Sequence, residues 1–499
     1  MLKQSQQIRL SEYKSLYDMI IEKDNLLRKV KENIDFSFIN PMLKESYCEH
    51  FGRPAKEPEM MFKLMFLKKL YDLSDETLIQ NVKVNMAYKY FLDLNPEDST
   101  IDSSLMTKFR KMRITENILE EMLSETIRQA IEKGLIKSRA IIVDATHSKA
   151  SAKHETPTQI LRRMTKELRK ELYNTQFELS GKFPEKPVET AYLSEEIEYS
   201  KKLIDAVKTD VMKNGTAKSK KALTKVEELL KDEKIRQIQS VVDEDAKLGY
   251  KSEHNSFFGY KSHIAMTEER FITGLEITTG EAPDGEYLKK LVEQSENNGV
   301  DVKEILGDTA YSSKDNLEYA KQKGIKLISK LNPVISNGTG QAAKGFIYNK
   351  DADTYQCPAG NLAIKKVIGK KGGVKNKSLT YHFDIEKCKA CSYKEGCYKN
   401  GAKSKTYSVT ILSETHKEQK EFQETVYFKE RAKQRYMIEA KNAELKQAHG
   451  LEKSDSVGVF AMQLQSYFTS FVANVKRIVK LAVVNRTKTD FRFAILRLG

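Results

Sequence analysis

Nothing in these 499 residues supplies a run of about 18 apolar side chains, the length needed to cross a bilayer. Nor does a signal peptide open the chain, which is polar from MLKQSQQIRLSEY onward. A membrane protein is excluded at this level, and a cytoplasmic one is the expectation. Cysteine is scarce too, and five in so long a chain are too few for a disulfide framework. Four of the five fall within 41 residues, which points to a local metal site instead. No internal repeat is visible. Disorder is excluded because 39% hydrophobic residues can build several cores, and the length suits two to four domains. What the chain has in excess is positive charge. Its 85 Lys and Arg against 70 Asp and Glu leave a net +15, which favours a polyanionic partner through phosphate neutralisation and counterion release. Nucleic acid is the default partner.

From about Phe51 to Lys133 the apolar spacing is helical, as in MMFKLMFLKKLYDL and NILEEMLSETIRQAI, with polar turns around Pro96 and Ser103. The run from Ala140 to Thr146 then reads as a buried strand. Residues from about Glu155 to Asp243 form a Lys/Glu-rich insertion of helical period, broken at Gly181–Pro187 and Asn214–Gly215. Its basic faces leave two readings open, a solvated helical hairpin or a DNA contact. Strand pattern resumes in a hairpin, Phe257–Met266 and Phe271–Thr278, turning at Glu268–Arg270. A helix (Tyr287–Asn297), a strand (Val302–Leu306), a helix after Ser312 and a strand (Lys326–Ser329) follow, so the order is that of a mixed α/β sheet. Beyond a Gly- and Cys-bearing stretch from Asn337 to Ser404 come a charged helix, Glu414–His449, closed by Gly450, and an apolar helix around Val457–Val484.

Asp144 lies at the carboxyl end of the first strand and Asp308 at the end of the fourth, where open α/β sheets place their ligands. Such a pair suits phosphodiester chemistry: two divalent ions about 4 Å apart activate the attacking oxygen and stabilise the leaving one, and Mg²⁺ prefers hard oxygen ligands. Either Asp taken alone reads first as a helix cap or Asx-turn, and it is the pair in these elements that favours a site.

At this point the chain resembles the DDE transposases of bacterial insertion sequences. Phe51-Gly-Arg-Pro-Ala with the helical run after it looks like that family's N-terminal domain, IIVDATHSKA like the segment of its first Asp (Asp144), and Gly307-Asp308-Thr-Ala-Tyr311 like that of its second (Asp308). The cut-and-paste branch carries a late Tyr-x2-Arg-x3-Glu-x6-Lys signature, which Arg435, Glu439 and Lys446 match while its Tyr falls on Ala432, with Tyr427 and Tyr436 nearby. Helical spacing puts those three on one surface, one acid with two cations. An ordinary charge-paired helix has the same spacing, and Glu444 is the rival third acid. Gly259-Tyr-Lys-Ser-His263 resembles the family's second strand, on which Lys261 and His263 share a face and could approach a phosphate, though an edge-exposed pair would look the same. Tyr311 reads either as a DNA contact or as a packed aromatic, and Asp284 as a helix cap.

Cys357, Cys388, Cys391 and Cys397 read C-x30-C-x2-C-x5-C, which suits tetrahedral zinc, with free thiols and redox chemistry as the other readings. Zinc would stabilise a small segment lacking much core, and related transposases insert a β-rich subdomain at this place. Cys48 is read as a buried small hydrophobe. The resemblance implies a ribonuclease H-like core with an all-α N-terminal domain, a helical insertion and a small Cys-rich insertion. The expected divisions are 1–135 (DNA-end binding), 136–154 and 246–335 (core), 155–245 and 336–410 (insertions) and 411–499 (C-terminal helices). It further implies two Mg²⁺ (or Mn²⁺) ions on Asp144, Asp308 and Glu439, phosphate contacts from Arg435 and Lys446, and a homodimer on double-stranded DNA. A nuclease of the same fold and an inert DNA-binding derivative are the rival functions.

Overall fold

The computed structural model describes residues 13–48, 55–188, 192–232, 235–252, 255–332, 345–349, 352, 354–369, 378–391, 393–395, 397–399, 401–410 and 413–496. The motif Phe51–Pro54 and residues 337–344 of the Cys-bearing stretch lie outside them. Among the described residues no helix is long and apolar enough to cross a membrane.

The centre of the fold is a six-stranded mixed sheet of β1 (Ala140–Lys149), β2 (Lys247–Ser252), β3 (Asn255–Thr267), β4 (Ile272–Thr279), β5 (Glu304–Leu306) and β6 (Lys326–Ile328). Its order is β2-β3-β1-β5-β6, with β4 also paired to β3. β3 runs antiparallel to β1, β2 and β4, whereas β1, β5 and β6 are mutually parallel. The strand β2 has no counterpart in the sequence reading, because its Lys-Leu-Gly-Tyr-Lys-Ser lacks a β-branched run. Ala140 to Val143 are all buried, as in a strand covered on both faces.

Among the described residues, eight α-helices between Lys14 and Glu132 precede the sheet. Pro58–Leu70 is buried almost all round, which its sequence MMFKLMFLKKL anticipates. Its Phe62 packs at 5.2 Å, centroid to centroid, against both Phe468 and Phe471 of the long last helix, Val459–Leu496. That helix also lies on β4, so the buried residues of the N-terminal helices and of the sheet form one continuous core.

The two insertions have cores of their own. Helices Pro157–Thr175, Leu193–Asn214 and Ala217–Lys231 enclose Leu168, Leu203, Val207 and Leu223, so the expected hairpin is a three-helix unit. Its ends meet where Glu155 N–H donates to the Gln239 carbonyl at 3.0 Å. In the Cys-bearing segment, β7 (Ile347–Asn349) pairs with β8 (Thr354–Gln356), and β9 (Lys365–Gly369), β10 (Ser378–Phe383) and β11 (Lys405–Thr410) form an antiparallel sheet around Phe346, Tyr381, Phe383 and Tyr407.

The charged helix expected over Glu414–His449 is broken into Glu414–Phe422, Val426–Ala432, a 3-10 turn at Lys433–Arg435 and Tyr436–His449. Each piece is anchored to a different strand. Gln419 donates to the Leu327 and Ser329 carbonyls at 3.0 and 2.8 Å, Arg431 pairs with Glu304 and Glu268 at 2.7 Å each, and Asn442 donates to Asp144. Three such anchors need not fall on one straight axis, and Thr425 caps the restart by accepting from Phe428 N–H at 3.2 Å.

Gly259 of β3 pairs with Lys149 of β1, and a Cβ there would run into the Ser148 carbonyl oxygen and stand 2.7 Å from the Ala150 nitrogen. Gly259→Ala is therefore expected to cost about 1–3 kcal/mol by forcing the strands apart. A denaturant midpoint equal to that of the unaltered protein would show that the strands have room.

Candidate active site

Two parallel strands bring the acids together. The last rung of β5 pairs Leu306 with Ile142 of β1, and Asp308 and Asp144 each lie two residues beyond it in the same direction. Gly307 lets the chain turn there, since a Cβ on it would meet the Tyr311 ring at 2.8 Å. Asp308 Oδ1 then accepts from Ala310 N–H at 2.9 Å, which orients its carboxylate and opens the 3-10 turn Thr309–Tyr311. The cap reading of Asp308 is thus correct as geometry, and it coexists with proximity to Asp144. Burial, and then the charge of Asp308, raise the Asp144 carboxyl to about 6.

The helix Tyr436–His449 supplies the opposite wall. Asn442 Nδ2 donates to Asp144 Oδ2 at 2.9 Å. Arg435, Glu439, Asn442 and Lys446 recur at intervals of four, three and four, so they share one helix face. Arg435 and Lys446 both act electrostatically on Asp144, while the exposed Glu439 lies 4.0 Å from Arg435. Glu444 points elsewhere, to Lys441 at 2.8 Å and Lys476 at 3.2 Å. Of the two rival acids, Glu439 is the one on the Asn442 face.

The sequence reading missed Asn442, although its position three residues after Glu439 was a usable signal. It also treated Asp284 as a cap. Asp284 instead accepts from Lys261 Nζ at 2.8 Å and adds its charge to the field at Asp144. Lys261 also donates to the Ala282 carbonyl and is largely buried, so both of its contacts are internal. His263 is fully buried, stacked on Tyr287 at 4.3 Å and hydrogen-bonded to the Thr278 hydroxyl at 2.9 Å. Burial lowers its pKa to about 4, so the ring is neutral. Lys261 and His263 do share a face, as alternation requires; His263 is fully buried there, and the Lys261 ammonium is engaged by Asp284 and the Ala282 carbonyl. Tyr311 is likewise fully buried beside Asp144, Asp284 and Asp308.

Three buried polar atoms at this spot, Tyr311 Oη, Asn442 Oδ1 and Arg435 Nε, have no hydrogen-bond partner among the described residues. Buried groups left this way mark a place for water, an ion or a ligand. Acidic oxygens plus an amide oxygen are the hard donors that Mg²⁺ prefers. Among the described residues, however, no group of three His, Cys, Asp or Glu stands in metal-holding geometry. Asp144 and Asp308 are neighbours, and Glu439 stands across from them without closing the set. The same finding covers the cysteines, although Cys357, Cys388, Cys391 and Cys397 all line one cavity of about 30 Å³. Burial raises the Cys388 thiol, and its three fellow cysteines raise it further. Cys48, expected to be buried, is exposed.

Comparison with known proteins bears out the family resemblance. A model described as Transposase domain (DUF772) matches residues 14–112, and one described as Transposase DDE domain matches residues 356–479, the segment holding Arg435, Glu439 and Lys446. The uncharacterized protein ORF8 in the nfe locus of Rhizobium meliloti is 31% identical over 114 residues, 22% of this chain. The chain spans 55% of the length of that relative. A cryo-EM structure of a piggyBac transposase synaptic complex with hairpin DNA aligns over 92% of this chain and 74% of its own, at 9% identity and a TM-score of 0.29, too low to establish a shared fold.

An acid whose pKa is raised on folding weakens the fold above its ordinary pKa, because the unfolded carboxylate ionises more easily. For Asp144 the penalty is absent below about pH 4 and complete above about pH 6. Asp144→Asn is expected to stabilise the metal-free protein by about 1–3 kcal/mol at pH 7.5 and by nothing near pH 4. Chemical denaturation of both proteins across that range checks the sign; an equal gain at every pH would remove charge as the cause.

Proposed function

We propose, from the premise that this chain is a DDE transposase of the insertion-sequence type, that it cuts DNA at the ends of its element and joins the freed 3′ ends to target DNA through Asp144, Asp308 and Glu439. The observation carrying this reading is the shared rung that sets Asp144 beside Asp308, faced by a helix whose one side bears Arg435, Glu439, Asn442 and Lys446.

The family generally works with divalent metal ions, and Asp144, Asp308 and Glu439 would hold them, two Mg²⁺ or Mn²⁺, with the unpartnered Asn442 Oδ1 close by. When bound, such ions supply Lewis acidity to the attacking and leaving oxygens of an in-line displacement. Glu439, exposed on the Asn442 face of its helix, would complete the set. Asn442 positions Asp144 by occupying one lone pair of Oδ2. Arg435 and Lys446 steady nonbridging phosphate oxygens on the reacting strand. In the first step water attacks the phosphodiester at the element's end, one P–O bond forms as another breaks, and a 3′-hydroxyl leaves. In the second that hydroxyl attacks a target phosphodiester, and a target 3′-oxygen leaves in exchange. Lys261, His263 and Tyr311 support the acids from behind.

On this reading the sheet is a ribonuclease H-like core, 136–154 with 246–335, divided by insertions at 155–245 and 336–410. Residues 1–135 recognise element ends and 411–499 bring in the third acid. The protein acts as a homodimer on double-stranded DNA in the cytoplasm, at the nucleoid. The four cysteines hold a structural zinc, a role supported by their shared cavity.

The test is to incubate the protein with Mg²⁺ and a plasmid bearing its own gene with native flanks, beside Asp308→Asn. Discrete flank cuts and joined products are expected from the unaltered protein, with cleavage by the variant at background and its DNA binding intact. Cutting without joined products would leave a nuclease of the same fold, and binding without cutting would leave an inert derivative.

A further inference from the structure

Beyond the acids, β1 runs on for five residues to Lys149, which lies in a row of lysines across the sheet. Lys149 pairs with Gly259 of β3, and Gly259 pairs on its other side with Lys247 of β2. On the free edge of β1 the segment after the third acid's helix adds a parallel bridge, Lys149 to Lys453, made by Lys149 N–H to the Glu452 carbonyl at 2.9 Å and Ser454 N–H to the Lys149 carbonyl at 2.8 Å. Residues paired directly across strands project to the same face. Lys247, Lys149 and Lys453 therefore stand side by side, with a glycine between the first two where a side chain would fill the gap.

This charge is poorly compensated. Lys247, Lys251, Lys446 and Lys453 form no ion pair among the described residues, whereas lysines elsewhere repeatedly do. Glu452 reaches Lys149 only at 3.7 Å and stays mostly exposed, and Glu452 and Asp144 act on Lys446 without forming an ion pair with it. The lysines also feel one another. Burial, followed by the charge of Lys251, lowers Lys446 to about 8, and burial followed by Lys446, Lys251 and Lys149 lowers His147 to about 4. Cations held together without an acid are stabilised by an anion that bridges them.

Resting on the DNA reading above, we infer that Lys247, Lys149, Lys453 and Lys251 form a backbone track for duplex DNA, continuous through Lys446 with the acids at Asp144 and Asp308. Five residues of strand span about 17 Å, which matches about five nucleotide steps at 3.4 Å each. The track thus takes phosphates about five nucleotides from the reacting one. It carries no base readout, because lysines on phosphates fix register without reading sequence.

The experiment measures binding of fluorescent gene-flank duplex without divalent metal, by anisotropy from 50 to 300 mM KCl. It compares the unaltered protein with Lys149→Ala/Lys247→Ala/Lys453→Ala and with a control, Lys289→Ala/Lys321→Ala/Lys420→Ala, which removes the same charge from three exposed lysines on helices outside the region proposed to recognise element ends. The track variant is expected to bind about 10- to 100-fold more weakly and to lose about two to three units of log-log salt slope, near 0.9 per phosphate contact, with an unchanged melting temperature. The control is expected to lose less than one unit. Equal losses in both variants, or an unchanged slope in the track variant, would overturn the track while leaving DNA binding standing. No binding by the unaltered protein would overturn the DNA reading itself, and the track with it.

Discussion

The site depends on one rung of a parallel ladder, Ile142 against Leu306. β5 is only three residues long, and its register on β1 decides which side chains leave the sheet together. Slip it by one residue and Asp308 would face Val143 or Ala145, on the opposite side of the strand. The register is held from several directions. Ile141, Ile142, Ile305 and Leu306 are fully buried, Arg431 grips Glu304 at the start of β5, and Lys303 N–H donates to the Arg139 carbonyl just before it at 2.7 Å. A slip would expose apolar residues, strand an arginine and break the entry bond together.

The wall facing that rung is positioned by the long helix Val459–Leu496. Asn474 bonds both the N–H and the carbonyl of Ile272 at 2.8 and 2.9 Å, and Tyr467 donates to the Leu275 carbonyl at 3.0 Å, so this helix is registered on β4. Gln465 on it donates to the Gly450 and Lys453 carbonyls at 2.9 Å each, which fixes the turn leaving the helix Tyr436–His449. Gly450 needs its positive φ of 69° there, and it lies so close to the Asp72 carboxylate that any side chain would collide. His449 donates from Nδ1 to the Lys69 carbonyl at 3.0 Å, and Lys69 itself pairs with Asp455. The N-terminal helices are therefore part of what holds Asn442 against Asp144, and the continuous core is the packing counterpart of those polar ties.

Local chemistry made part of this legible in the sequence. The Ala140–Val143 run, the hairpin after Phe257 and the apolar helices carry their period in the residues themselves, and carboxylates at strand ends pointed to Asp144 and Asp308. What stayed hidden depends on partners far along the chain. Nothing near Thr425 says that Gln419, Arg431 and Asn442 are each claimed by a different strand, so a continuous helix was the natural reading. Alternation put Lys261 and His263 on one face, but whether that face meets solvent or Tyr287 is decided by packing. Asn442 was missed because an uncharged residue within a charge-patterned helix draws no attention until Asp144 appears 2.9 Å away.

Charge in this region is sorted by position, and the sorting bears on how a polyanion could approach. Asp144, Asp284 and Asp308 are half-buried, as are Lys247 and Lys446, whereas Lys149, Lys251 and Lys453 are exposed. A phosphate arriving from solvent meets the lysines first, where binding it relieves their mutual repulsion. To advance toward Asp144 it must enter a site where burial, and then the charge of Asp308, already raise one carboxyl to about 6, so the acids alone would repel it. Arg435 and Lys446 offset this at the rim, but no cationic side chain hydrogen-bonds Asp144 or Asp308 among the described residues. On the proposed reading the missing positive charge belongs to divalent ions. The buried, partnerless oxygens of Tyr311 and Asn442 then mark where the protein has left polar capacity unspent.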